Sequence, residues 1–509
     1  MAKRYDVIVV GAGNAGLTAA ATMAKAGKKT LLIEKHNLPG GCGTSFVRGR
    51  FEFEASLHEL CMFGPKGSKN PVRHLFDTLG CDVKDWTRTP ELYSTNAYGD
   101  KEYDICLPTG EEAFLDAMEK AVPGSRESLK TLLEYAEIMN ATHDHMYEAG
   151  YKVDALHVML HYREFLDLQH FTVSEGFRHF GVPEKATHIL SNYWDYLGVD
   201  TDNFSFAVYI IIIYNFIKYG SYIPNHRSHA ISLAWDQVIR ENGGDIWYNT
   251  EVTKILVKDG SVYGVEVPGE TVYADYVIAN MMPRTGYGKL IDPAEVPERA
   301  RKIENSREIT GHLYGVFLGL NKSAEELGIK DYTRMIRYSG DPIKQYDEMR
   351  TIESNHNIYV SCPSVAIPDI SPEGTCILLF VKSYMSDDWS NVGEKDYFKM
   401  KDRVAMDCIK TYKEALGIDI SDCVEEVEIS TPETYARYLG HPEGSVYGYE
   451  SKGWDSMLNR VMDERKNDYM IRGLRFCGAS GAILNGFGQT YLHGNSVAKM
   501  FLEEMEGKK

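Results

Sequence analysis

The sequence predicts an α/β chain: a parallel-sheet nucleotide-binding domain interleaved with an α+β domain built on a mixed sheet. Three observations predict it. The first 45 residues run strand, glycine turn, helix, strand. A helix–strand–hairpin–strand block at 229–280 reads as a return to the same sheet. A short strand, a glycine loop and a helix close the chain after residue 474.

The N-terminal elements come first. Tyr5-Asp6-Val7-Ile8-Val9-Val10 is an apolar run of buried-strand type. Gly11-Ala12-Gly13-Asn14-Ala15-Gly16 follows as G-x-G-x-x-G, and 17–26 is a helix of small residues. Gly11 permits the tight turn. Gly13 lets backbone approach a pyrophosphate, and Gly16 lets helix pack on strand. The helix N-terminus offers free N–H groups to phosphate. A second strand, Thr30-Leu31-Leu32-Ile33, ends in Glu34, eighteen residues after Gly16 and followed by Lys35. Glu34 can accept from ribose hydroxyls. A plain glycine turn would not explain that acid, so a Rossmann-type dinucleotide site is expected. Gly40-Gly41 with Thr44 and Ser45 behind them form a second glycine segment, which simple NAD enzymes do not need.

Residues 47–54 alternate with an early turn and read as strand. Residues 111–219 have helical periodicity and form the helical part of a second domain. They contain the most apolar run, 204–217, too short to span a membrane. It is expected to be a buried helix or strand lining a cavity; a monotopic membrane contact is the other reading. The segment 246–252 reads as one strand, and Asp259-Gly260 as a hairpin turn. Strands at 312–320, 357–360, 376–382 and 424–429, with an amphipathic helix at 402–415, form the mixed sheet. The expected division gives the cofactor domain 1–110, 220–300 and 456–509, and the second domain 111–219 and 301–455.

The net charge of −18 excludes nucleic acid as a partner, because nothing offsets phosphate repulsion. Nine scattered cysteines without a CxxC pair give no zinc pattern and favour a reducing, cytoplasmic compartment. The first strand begins almost at once, so no signal peptide is expected. No metal is expected either: His157 and His161 are four apart, as are metal ligands on a helix, but lack a third ligand. Like His143 and His145, they read as a solvated helix surface.

The chain resembles the phytoene desaturase, carotenoid isomerase and retinol saturase type flavoproteins, which share the amine oxidase superfamily fold. Residues 5–45 carry the family's strand, GxGxxG, acid and second glycine segment. The block from Tyr222-Ile223-Pro224 to Val252 resembles its middle motif. Thr431-Pro432-Glu433-Thr434 with Gly440, Gly444 and Tyr447-Gly448 resembles a third, and Phe476 to Ala479 with the helix from Thr490 resembles the last. The resemblance implies a Rossmann-type FAD-binding domain, GR2-like, with an interleaved α+β substrate domain. It implies FAD held by Gly11, Gly13, Gly16, Glu34, Lys35, Gly40, Gly41, Thr44, Ser45, Val252, Gly478, Ala479 and Thr490. The helix from Thr490 would aim its N-terminus at the flavin. The implied partner is a small hydrophobic substrate whose carbon–carbon double bond is desaturated, saturated or isomerised. An amine oxidase-type reaction is the alternative, and a flavin-free prenyl-binding role like that of the Rab GDP-dissociation inhibitors is a third.

The chain departs from that pattern in three places. Glu54-Ala55-Ser56 stands where relatives have Asp then Gly, His226-Arg227 replaces a glycine pair, and polar residues enter the loop at 485–493. His58 and Glu59 lie where relatives place side chains over the flavin. Either could be a general acid or base, or a structural hydrogen bond. Tyr491 is the third catalytic candidate, with packing as its alternative.

Overall fold

The computed structural model describes residues 3–148, 156, 159–160, 162–451, 453–465, 470–481 and 485–507. His157 and His161 lie outside them. Among the described residues no group of His, Cys, Asp or Glu is arranged to hold a metal ion.

Five parallel strands form the nucleotide sheet, in the order Asp245–Trp247, Thr30–Ile33, Val7–Val10, Tyr276–Asn280 and Leu474–Cys477. Val7, Ile8, Val9, Leu31, Leu32 and Ile278 are fully buried, as an apolar run in a parallel sheet requires. The helix Asn14–Lys25 packs on Arg227–Glu241 and on the C-terminal helix Phe487–Met505. Small residues allow the second contact: a Cβ at Gly494 would lie 2.0 Å from the Ala15 carbonyl oxygen. Thr18 Oγ1 donates to the Tyr491 carbonyl at 2.9 Å across the same seam.

Two boundaries differ from the sequence expectation. The strand expected at 246–252 is Asp245–Trp247 and stops there. The chain then turns at Asn249 (φ 50°) and lies beside the end of the second strand, with Thr250 N–H donating to Glu34 O at 2.9 Å. Strands Tyr93–Ala97 and Asp104–Leu107, expected within the 1–110 part of the cofactor domain, belong to the large sheet. Tyr93–Ala97 pairs in parallel with Thr333–Arg337, a partner that local sequence cannot reveal.

The large sheet runs Val424–Ser430, Ile309–Leu320, Cys376–Tyr384, Ile358–Ser361, Thr333–Arg337, Tyr93–Ala97, Asp104–Leu107, and Ser445–Tyr449 also pairs with the long strand. Alternation along Ile309–Leu320 assigns two tasks. Tyr314, Val316 and Leu318 pack in the core shared with helix Tyr397–Leu416. Leu313 and Phe317 face the opposite way, into the domain interface. Phe317 meets the hairpin of Ser45–Arg48 and Phe51–Glu54, and Gly319 leaves room for it: a Cβ there would lie 2.5 Å from the Phe51 ring.

The apolar run becomes the helix Phe206–Tyr219, buried along most of its length. Val208, Ile211, Ile212 and Phe216 line a cavity, as expected of a buried helix. Among the described residues no helix is long and apolar enough to cross a membrane.

Candidate active site

One cavity of about 540 Å³ runs from the glycine turns of the nucleotide sheet to the apolar helix Phe206–Tyr219. Its nucleotide end is built by backbone. Gly11 N–H donates to Ile33 O at 2.8 Å, Gly40 N–H to Ala12 O at 2.7 Å, and Gly13 bridges Gly40. The two glycine segments therefore lie against one another, and Gly11, Gly13, Gly40 and Gly41 all face the cavity. Gly16 does not. It packs helix on strand: its Cβ would fall 1.9 Å from the Gly11 oxygen. Glu34 Oε2 accepts from Ala12 N–H at 2.6 Å and Oε1 from His36 N–H at 2.8 Å, which holds the carboxylate at the cavity wall. Lys35, Val252, Gly478, Ala479 and Thr490 also line the cavity.

Thr44 and Ser45 are not on the wall. Thr44 Oγ1 turns to His229 Nδ1 at 3.4 Å, and Ser45 Oγ donates to Glu52 at 2.6 Å within the hairpin. The C-terminal helix starts at Phe487, earlier than expected, so Thr490 is already inside it and donates to the Gly486 carbonyl. The unsatisfied N–H groups belong instead to residues 487–489, all on the wall.

Tyr491 does not reach the cavity. It is fully buried against Phe76 (ring centroids 5.2 Å) and Trp235 (6.2 Å), so its role is packing. Two steps later, His493 Nδ1 accepts from Gly478 N–H at 3.2 Å and its Nε2 faces Glu464 at 2.9 Å, which fixes the turn carrying Gly478 and Ala479. His143, expected on a solvated surface, is buried and on the cavity wall, while His145 is exposed.

Sequence inspection missed Asn280. It ends the strand beside Val7–Val10, and its Nδ2 donates to Gly11 O at 3.4 Å. A Cβ at Gly13 would lie 2.7 Å from Nδ2, and one at Gly478 2.8 Å from Oδ1. Asn280 thus joins the first and last glycine turns. The available signal was an amide closing an otherwise apolar strand. Asn14 was also missed: its buried Oδ1 has no hydrogen-bond partner among the described residues, and the residue lines the cavity.

At the other end, His58 and Glu59 enter the wall beside Tyr193 and Tyr196. Glu59 accepts from Tyr193 OH at 2.6 Å and from Ser221 OH at 3.0 Å. Removal from bulk water pushes its carboxyl up to about 7, against these two hydrogen bonds. His58 Nδ1 meets Tyr196 OH at 3.1 Å, and its ring stacks on Tyr359 at 4.5 Å. Burial pulls the imidazole down to about 4, so it is neutral at physiological pH. Two of the departures from the family pattern, Glu54 and Arg227, line one small cavity. Glu54 accepts from Ser228 N–H at 2.7 Å at the start of helix Arg227–Glu241. Arg227, in the left-handed region (φ 63°), donates to Glu52 O at 3.0 Å and to Ile370 O. The strained backbone of a position that suits glycine is thus offset by two side-chain hydrogen bonds.

These shifts predict how stability depends on pH. Burial pushes Glu54, Glu59 and Glu91 each up to about 7. A raised carboxyl stabilises the fold fully below its unfolded pKa near 4.5 and loses that contribution as pH rises through about 7. The lowered His58 acts oppositely: its contribution is present above 6.5 and lost as pH falls through about 4. Three groups outweigh one, so the melting temperature is expected to fall between pH 5 and 8. In Glu59→Gln the fall should be shallower, by about 1–3 kcal/mol across the range. Equal slopes in calorimetry would show that Glu59 is not held neutral.

A nucleotide cradle and an apolar chamber sharing one cavity define a nucleotide-cofactor oxidoreductase with a substrate domain. Residues 9–79 match the NAD(P)-binding Rossmann-like domain family. Over 89–94% of its length, the chain is related to the phytoene desaturase, carotenoid isomerase and retinol reductase group of enzymes. It is 22% identical to a chloroplastic prolycopene isomerase of Daucus carota (89% of this chain, 73% of the relative). It is 25% identical to the all-trans-retinol 13,14-reductase of Danio rerio (94% and 84%) and 26% identical to a zeta-carotene-forming phytoene desaturase of Myxococcus xanthus (93% and 89%). The fold is that of an oxidoreductase from Methanosarcina mazei (TM-score 0.65, 17% identity, 98% and 99% covered) and of putrescine oxidase (TM-score 0.63, 15%, 98% and 99%). A Rab GDI from Plasmodium falciparum shares it too (TM-score 0.57, 14%, 100% and 99%).

Proposed function

We propose that the glycine cradle holds FAD and that the protein desaturates, saturates or isomerises a carbon–carbon double bond of a largely hydrophobic substrate, such as a polyene, isoprenoid or fatty acyl compound. The continuity of one cavity from Gly11, Gly13, Gly40 and Gly41 to Val208, Ile211, Ile212 and Phe216 carries this reading. The residues present fit the cofactor. Four glycines leave the cradle without a Cβ, Asn14 Oδ1 is an unused buried acceptor, and Glu34 suits ribose hydroxyls. Val252 suits the adenine, and the turn at Gly478 and Ala479 the flavin. Bound flavin would supply reversible hydride transfer.

The chain's own part is to seat the substrate and handle a proton. The apolar wall excludes water from the reacting double bond. Glu59, poised near neutrality, can hold or release a proton at a carboxyl oxygen, with Tyr193 and Ser221 fixing its orientation. The relatives named for polyene and retinoid chemistry support this substrate class. An amine substrate is disfavoured: among the described residues the chamber offers one carboxyl, Glu59, and burial holds it toward its neutral form. A flavin-free prenyl-binding role has no use for the cradle.

Purified protein supplied with FAD is expected to be yellow, and anaerobic addition of polyenes, not amines, should change its flavin bands. A colourless protein would defeat the cofactor assignment. Peroxide production from an amine would defeat the substrate assignment.

A further inference from the structure

Behind His58 lies a second, smaller cavity of about 20 Å³, walled by Glu54, Leu57, Arg227, Phe317 and Ser361. His58 is on the wall of both cavities. Two buried polar atoms of the small cavity's lining residues have no hydrogen-bond partner among the described residues: His58 Nε2 and Ser361 Oγ. Ser361 and Tyr359 are two apart on the strand Ile358–Ser361, so both face His58, and Tyr359 stacks on it. The Tyr332 hydroxyl, beside Ser361, is committed to the His58 carbonyl. The volume admits a single water, and buried polar atoms of this kind are normally satisfied by one.

We propose that this cavity is an internal water site that links Glu54 to His58, and that Glu54, the water, His58 and Tyr196 form a proton relay into the active-site cavity. The relay rests on the function proposed above. Tyr196 lines the large cavity and its OH lies 3.1 Å from His58 Nδ1, which leaves the partnerless Nε2 for the small cavity that His58 also lines. In saturation, bound flavin would supply the hydride for one substrate carbon, and Tyr196 OH gives the other its proton, a donor alternative to Glu59 that the variants Glu54→Gln and Glu59→Gln tell apart. His58 Nδ1–H returns a proton to Tyr196. His58 Nε2 takes one from the water, and the water takes one from the Glu54 carboxyl; between turnovers Glu54 regains its proton from bulk solvent and the imidazole turns to bring its N–H back to Tyr196. Desaturation runs the chain backwards. Burial pushes Glu54 up to about 7, so it has a proton to give at neutral pH. The other titratable or charged groups facing this relay include Glu52 and Arg227 from the hairpin and the following helix, Tyr332, Tyr359 and Tyr447 from the large sheet and the strand beside it, Tyr193, and Glu59. Glu54 is a positioning and supply residue, since it does not line the active-site cavity.

Two variants of the full-length, FAD-supplied protein test this, Glu54→Gln and Ser361→Val, the latter filling the water site. The first readout needs no substrate. The ¹⁵N resonances of the His58 ring should respond to pH with a midpoint near that of Glu54 in the wild type, and the response should vanish in both variants. The second is the pH profile of single-turnover reaction with a polyene. In Glu54→Gln the rate should fall about ten- to hundredfold and the profile should lose Glu54's share of its break near neutrality, while the limb that belongs to Glu59 stays. Unchanged His58 resonances between pH 6 and 8, or identical profiles in the wild type and both variants, would overturn the relay. If no polyene reacts at all, the function assignment fails, while the resonances still decide whether Glu54 and His58 are coupled.

Discussion

Gly40→Ala is expected to purify without flavin, with FAD affinity reduced at least about a hundredfold, roughly 2.7 kcal/mol. Gly40 has φ 121°, where an L side chain is strained, and its Cβ would fall 2.2 Å from the Gly43 oxygen and 2.8 Å from Ser232 Oγ. Neither obstacle is easily moved. Gly43 N–H donates to Gly40 O at 2.8 Å, and Ser232 Oγ donates to Gly43 O at 2.7 Å. The whole 40–43 turn must shift, and with it the face laid against Gly13. Gly27→Ala is the control. Gly27 also has positive φ (75°), but nothing lies within 4 Å of its added Cβ. It should cost about 1 kcal/mol of stability and keep its flavin. Absorbance of the purified proteins and titration with FAD read both outcomes. Equal flavin content in the two variants would mean that the 40–43 turn does not contact the cofactor.

Glu59→Gln should keep flavin and fold but lose about 10²- to 10³-fold in turnover of an accepted polyene, the range expected for loss of a general acid or base. Glutamine keeps one acceptor oxygen for Tyr193 or Ser221, presents an NH2 donor to the other hydroxyl, which turns to accept, and removes the titrating proton. Tyr193→Phe separates this from a structural effect. The Tyr193 hydrogen bond lowers the Glu59 pKa, so its removal raises it. The limb of the pH–rate profile that belongs to Glu59 should therefore move to higher pH in Tyr193→Phe and be absent in Glu59→Gln. A Glu59→Gln enzyme with wild-type turnover would reduce Glu59 to a wall residue.

The cofactor half of the site was legible because its instructions are local. A strand, three glycines, a helix of small residues and an acid at the right spacing determine backbone shape within a few turns of chain, and Gly11, Gly13, Glu34 and Gly40 lie where that spacing puts them. Buried strands and the apolar helix Phe206–Tyr219 were legible for the same reason: hydrophobic period reports burial. Direction within an element was less secure. Thr44 and Ser45 are next to the cradle in sequence, yet the hairpin that starts there turns both away from it. Tyr491 sits at the start of the last helix, but the helical phase points it at Phe76 and Trp235.

Local sequence thus carried the glycine turns, the apolar run at 204–217 and the candidates His58 and Glu59, each of which contributes to the wall of one cavity. The tertiary structure alone decided what those groups do to one another. Asn280 meets Gly11 from 269 positions away, and Ser221 reaches Glu59 across 162. Tyr93–Ala97 finds its sheet partner in Thr333–Arg337. Such pairs carry no local signature, because long-range packing, not neighbouring residues, selects them. Their effect is chemical: burial by distant elements moves Glu54 and Glu59 up and His58 down, and it encloses the small cavity between Glu54 and Ser361.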